Sequence, residues 1–100
     1  MNPYEMWKQM SSIQNSLNEM QAELKNMSVE GSSGAGLVKV IADGAGNLKS
    51  ISISDEAMAM NDKNSLEVLI LSAANDALTK SQEQRAQKGL DKARQYGLKI

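Results

Sequence analysis

Cysteine and histidine are both absent from this chain of 100 residues. Without cysteine there are no disulfides, no thiolate metal site and no cysteine nucleophile. Without histidine the commonest metal ligand and the usual general base near neutral pH are missing. Aromatic residues are scarce: Tyr4, Trp7 and Tyr96 are the three, all near the ends. A sheet that stacks nucleobases on rings is thereby excluded. The longest apolar run, Val68-Leu69-Ile70-Leu71, is far short of the roughly 18 residues of a membrane span. The opening Met1-Asn2-Pro3-Tyr4-Glu5 lacks a basic stretch followed by an apolar core, so a cytoplasmic location is expected. Charge of one sign is lacking too, with 11 basic against 12 acidic groups and a net charge of −1. The chain is neither a globally basic nucleic-acid binder nor an acidic tail. Serine, aspartate and lysine are present, yet no nucleophile–base constellation is visible. No enzymatic activity, cofactor, small-molecule substrate or membrane contact is expected.

What is present is order at helical spacing. Met6, Met10, Ile13, Leu17, Met20, Leu24 and Met27 follow one another at intervals of 4, 3, 4, 3, 4 and 3. That is an a/d seam, and it predicts a helix over about 3–27 with Pro3 in its first turn. The seam is narrow enough to be shared with another helix, in this chain or in a second copy.

Glycine then punctuates the middle. Strand character appears at Ser28–Glu30, at Leu37–Ala42 and at Leu48–Ser54, giving a three-stranded sheet over about 28–54. Asp43-Gly44-Ala45-Gly46-Asn47 is the hairpin turn. Ile51 and Ile53 share one face and Ser50, Ser52 and Ser54 the other, so one face is covered and one wet. Gly31-Ser32-Ser33-Gly34-Ala35-Gly36 is no phosphate loop, because it lacks the Gly-Lys-Ser/Thr ending and a strand follows it. It reads as a flexible turn. Asp55, Glu56 and Asp62 fit no calcium-loop spacing and read as first-turn acids and caps.

A second helix is expected over about 64–96, started by Asn64 with Glu67 at capping-box spacing and stopped at Gly97. Leu66, Leu69, Ile70, Ala73 and Ala77 form its apolar stripe. Val68, Leu71, Ala74 and Leu78 widen it, which predicts a well-buried first half. Gly89 invites a bend. Such a helix would span about 48 Å, too long for a compact domain with a radius of gyration near 13 Å. Its distal half must project or find a partner.

Charge is segregated along the chain. Residues 1–30 carry Lys8 and Lys25 against Glu5, Glu19, Glu23 and Glu30. Residues 81–100 carry Arg85, Lys88, Lys92, Arg94 and Lys99 against Glu83 and Asp91. Arg85, Lys88 and Lys92 fall in a sector of roughly 60°. Arg85 and Lys88 lie beyond the apolar stripe, which fades after Leu78, and are expected to be solvated.

The block Val29-Glu30-Gly31-Ser32-Ser33-Gly34-Ala35-Gly36-Leu37-Val38-Lys39-Val40 resembles the signature of the YbaB/EbfC family of bacterial nucleoid-associated proteins. So does Ala74-Asn75-Asp76-Ala77-Leu78-Thr79-Lys80. The resemblance covers nearly the whole chain as a single domain, 1–100. It implies an α+β fold of order α-β-β-β-α, with a small antiparallel sheet flanked by two long helices in a tweezer-like homodimer. It further implies binding to double-stranded DNA with low sequence specificity, in the cytoplasm and nucleoid. Under that reading Lys80, Arg85, Lys88, Lys92, Arg94 and Lys99 are the expected DNA contacts. Leu37, Val38, Val40, Leu66, Leu69, Ile70 and Ala73 are the expected dimer interface. Read from composition alone, the same chain is a homodimeric protein–protein adaptor whose basic end is merely solvated.

Overall fold

A computed structural model of the chain describes residues 2–97. Helix α1 runs Pro3–Lys25; the Asn2 side chain caps it by accepting the Glu5 N–H at 2.8 Å. Three strands follow, β1 (Val29–Ser33), β2 (Val38–Ala42) and β3 (Leu48–Ile53), antiparallel and in that spatial order. A five-residue helix, α2 (Asp55–Ala59), leads to the long α3 (Lys63–Gln95). The α-β-β-β-α order is as expected, with α2 added.

Two local expectations give way. The glycine-rich block is not all turn: β1 continues to Ser33, and only Gly34–Gly36 form a single 3-10 turn. The cap of α3 is Asp62, not Asn64. The Asp62 carboxylate takes both the Ser65 N–H (3.1 Å) and the Ser65 hydroxyl (2.8 Å). It also places a negative charge at the positive end of the helix. Those bonds hold the Asp62 carboxyl below the usual aspartate range.

The core lies between α3 and one face of the sheet. Val38, Val40 and Ala42 meet Ala73 and Ala77, with Leu66, Leu69 and Ile70 packed around them. The register places Gly31 opposite Val40 on that face. There a Cβ would collide with the backbone of Ala73 and Ala77, so α3 and β1 touch main chain to main chain. Alanines on the helix and a glycine on the strand are what permit this approach.

Three of the expected interface residues, Val38, Val40 and Ala73, are therefore spent on the chain's own core and have no surface to give a partner. Conversely, the widened stripe is not buried. Val68 and Leu71 are 63% and 62% exposed, because α3 lies over β1 and β2 and turns this side away from the sheet. Ile51 is likewise exposed on the edge strand β3. A shallow groove of about 460 Å³ opens beside Val68, lined also by Leu37, Met60 and Leu69.

The molecule is elongated, 68 × 22 × 16 Å, with a radius of gyration of 19.3 Å. Its distal α3 is not solitary. α1 returns antiparallel along it: Glu23 faces Lys88, and Ser12 faces Tyr96 at the far end. Ile13, Leu17 and Met20 of the seam line the groove between the two helices, and Leu24 is buried at its base. The seam is thus shared within the chain, and α3 passes Gly89 without a break. The result is a body, sheet plus the first half of α3, and a two-helix arm.

Candidate nucleic-acid interface

The junction of body and arm is organised by one turn. The Asp43 carboxylate, almost fully buried, accepts the backbone N–H groups of Ala45 and Asn47 (both 2.9 Å) and the Asn47 amide (3.0 Å). The bonds from Asn47 hold its carboxyl below the usual range, helped by Lys49 at 3.7 Å. The Gly44 N–H donates to the Leu24 carbonyl at 2.8 Å, tying the turn to the end of α1. Arg85 reaches the same turn from α3, donating to the Gly44 carbonyl (3.2 Å) and the Ser81 hydroxyl (2.9 Å). Gly46, at φ +95°, leaves room for that guanidinium, which a Cβ would meet at 2.9 Å. Arg85 was expected to be solvated. It is half-buried and locks α3 to the hairpin, because the turn supplies the Gly44 carbonyl oxygen where the apolar stripe ends.

The other expected contacts are also engaged. Lys80 donates to the Glu30 carbonyl at 2.8 Å and pairs with Asp76 at 3.2 Å. Asp76 in turn accepts the Ser32 N–H at 3.0 Å, and that bond, with Lys80 second, holds its carboxyl below the usual range. Together they close the outer edge of β1. Lys88 and Lys92 bracket Glu23 of α1 at 3.1 and 4.0 Å. Arg94, more exposed, lies 3.6 Å from Asp91. Lys99 falls outside the described residues. Lys88, Lys92 and Arg94 are thus gathered on the arm, while Lys80 and Arg85 belong to the body and the junction.

Among the described residues, Lys8, Lys25 and Lys39 form no ion pair. Two of these three are on α1, although acidic residues outnumber basic ones over residues 1–30. No local pattern reveals Glu23's role, since the carboxylate meets its two lysines 65 and 69 residues away. The described residues hold no cluster of acids fit for a metal ion and no helix long and apolar enough to cross a membrane. What the arm offers chemically is cations held by exchangeable carboxylates, glutamines at 82, 84, 87 and 95, and an apolar tip.

Residues 1–93 match the sequence profile of the YbaB/EbfC DNA-binding family. A nucleoid-associated protein of Dictyoglomus thermophilum is 37% identical over 87 residues, 87% of this chain and 84% of that one. A nucleoid-associated protein of Caldanaerobacter subterraneus subsp. tengcongensis is 42% identical over 78 residues, 78% of this chain and 70% of that one. Among solved structures, that of the uncharacterized protein HP0035 from Helicobacter pylori superposes with a TM-score of 0.80. It covers 91% of this chain and 96% of that one at 22% identity, which establishes a shared fold.

Proposed function

Because the chain belongs to the YbaB/EbfC DNA-binding family, we propose that it is a nucleoid-associated protein whose homodimer holds duplex DNA with little regard to sequence. The observation that carries this is the placement of Lys88, Lys92 and Arg94 on an arm that leaves the body. An exposed apolar surface around Val68 and Leu71 lies at the other end. From Val68 to Lys92 the distance along α3 is about 36 Å. Dimerisation through Leu37, Met60, Val68, Leu69 and Leu71 would cover that surface and leave both arms free, in the manner of tweezers. On binding, phosphate would replace Glu23 and Asp91 as the partner of the arm cations. Gln82, Gln84, Gln87 and Gln95 are the amides that α3 offers to base edges, and they make no dense set of base readers. Affinity therefore comes from the backbone, which carries no sequence information. The family is a DNA-binding family rather than an enzyme family, in line with a role confined to binding.

Titration of unrelated labelled duplexes between about 50 and 200 mM salt tests this. Six phosphate contacts per dimer set a ceiling slope of about −5 in log K against log salt. Unrelated duplexes should bind alike. Lys88→Gln with Arg94→Gln removes four contacts per dimer and should flatten the slope by about 3.6. Tight, salt-insensitive binding to one duplex would contradict the reading. No binding at low salt would leave the adaptor as the better one. Light scattering that finds a stable 10.8 kDa species at micromolar concentration would refute the homodimer.

A further inference from the structure

Among the described residues, the tip of the arm is built from α1 alone. The groove between the helices ends at Gln9 and Tyr96, and residues 3–8 run past it. This overhang carries the chain's single tryptophan and one of its two tyrosines. Trp7 and Tyr4 are 65% and 67% exposed, with ring centroids 6.5 Å apart. Met6 and Met10, also exposed, extend the apolar surface around the helix. Lys8 stands beside Trp7 with no ion pair among the described residues. Solvent-facing apolar surface concentrated in this way marks an interaction site.

The charge pattern says which partner suits it. The chain is acidic overall, with a pI near 5.4. The cations of its distal α3 are held by carboxylates, so phosphate neutralisation there gains only the difference between two anionic partners. A DNA-binding chain with so little free positive charge needs a second source of affinity. Proteins that insert apolar side chains at a base step have one: unstacking is offset by the larger surface that bent DNA brings into contact.

We propose that the overhanging tip of α1 is an apolar wedge for the minor groove of duplex DNA. Trp7 and Tyr4 press into a partly unstacked base step, and Lys8 takes the flanking phosphate. This rests on the reading of the arms as DNA-binding. The wedge favours flexible pyrimidine–purine steps, which unstack at least cost, and so gives a mild preference without base-edge readout. Sited at the extremity of the arm, it bends the duplex rather than merely coating it.

Trp7 is the only tryptophan, so its emission reports on the tip alone. Duplex DNA should quench it, and energy transfer between dyes on the two duplex ends should rise as the DNA bends. Trp7→Ala with Tyr4→Ala should weaken duplex binding about tenfold, at the lower end of aromatic–base stacking. The variant should lose the bending signal and keep both the salt slope and the melting temperature of the parent. Trp7→Phe should retain bending. Binding of the parent with Trp7 emission unchanged would overturn the wedge, as would a double-alanine variant that binds and bends like the parent. Blue-shifted emission on phosphatidylglycerol vesicles, with no response to DNA, would also overturn it and make the tip a membrane contact. If the parent binds no duplex at low salt, the titration of labelled duplexes shows that the DNA reading itself has failed, and the wedge falls with it.

Discussion

In the body, α3 touches β1 main chain to main chain at Gly31; farther along, the same helix meets α1 through ion pairs and a half-open groove. The body's contact is Gly31 against Ala73 and Ala77, main chain on main chain, with Val38 and Val40 sealed beneath. The arm's contact is Glu23 between Lys88 and Lys92, a tyrosine hydroxyl on the Ser12 carbonyl, and the partly exposed Ile13 and Leu17. Close-packed backbone admits one arrangement. Surface ion pairs can change partner at little cost. One continuous helix thus joins a part that must not move to a part whose charged contacts are exchangeable. The Asp43 turn, with Arg85 on one side and Leu24 on the other, stands where the two regimes meet.

The largest expected effect breaks the body. Gly31→Val puts a branched side chain where the Ala73 and Ala77 backbone already sits, and α3 must lift off β1. Overpacking of this kind costs about 3 kcal/mol or more, which lowers the melting temperature by about 12 °C or more in a domain of this size. Thermal unfolding by circular dichroism measures it. A variant that melts within a few degrees of the parent would mean that helix and strand are not locked together there.

How far the chain could be read without coordinates follows the same division. The seam from Met6 to Met27, the Asp43–Asn47 turn and the strand alternation are local, so helix, hairpin and element order were legible in the residues. Helix α2 was missed because five residues do not show a period. The Gly31 contact had a signal, a glycine in a strand and alanines four apart in the helix, but only the register brings them together. Val68 and Leu71 misled because an apolar residue on a helix looks the same whether it faces its own sheet or another molecule. The candidate site was legible by position and not by state. Lys88, Lys92 and Arg94 do lie on a projecting end, whereas no spacing rule shows that Glu23 reaches two of them from the opposite end of the chain.

An intermediate effect comes from acid. Asp43, Asp62 and Asp76 all have carboxyls held below the usual range by hydrogen bonds formed only in the fold. A lowered folded value means that the stability they contribute is present above the unfolded aspartate value of about 3.9 and is lost as pH falls through the folded values. The melting temperature should therefore hold from neutral pH down to about 5 and fall below about 4. Asp76→Asn keeps an oxygen for the Ser32 N–H but cannot titrate, and should make the acid loss shallower. An acid profile identical to the parent's would assign the loss to the other carboxylates.

The smallest effect on stability, and the sharpest test of the arm, is Glu23→Gln. The substitution keeps length and polarity and removes the charge that holds Lys88 and Lys92. Exposed ion pairs are worth about 0–1 kcal/mol, so the melting temperature should move by only a few degrees. Duplex binding should instead tighten, by about three- to tenfold at low salt, because both lysines meet phosphate without first leaving a carboxylate. The salt slope should steepen, since the released cations now bind counterions that DNA must displace. Any loss of a negative charge would favour DNA to some degree, so Glu19→Gln is the control. Glu19 is exposed on the same helix and forms no ion pair among the described residues. It changes the net charge equally and releases no lysine. If the two variants tighten binding alike, the effect is one of net charge and the latch is not real. If Glu23→Gln binds no better than the parent, Lys88 and Lys92 are staples of the arm, and the phosphate contacts must be sought among Lys8, Lys25 and Arg94.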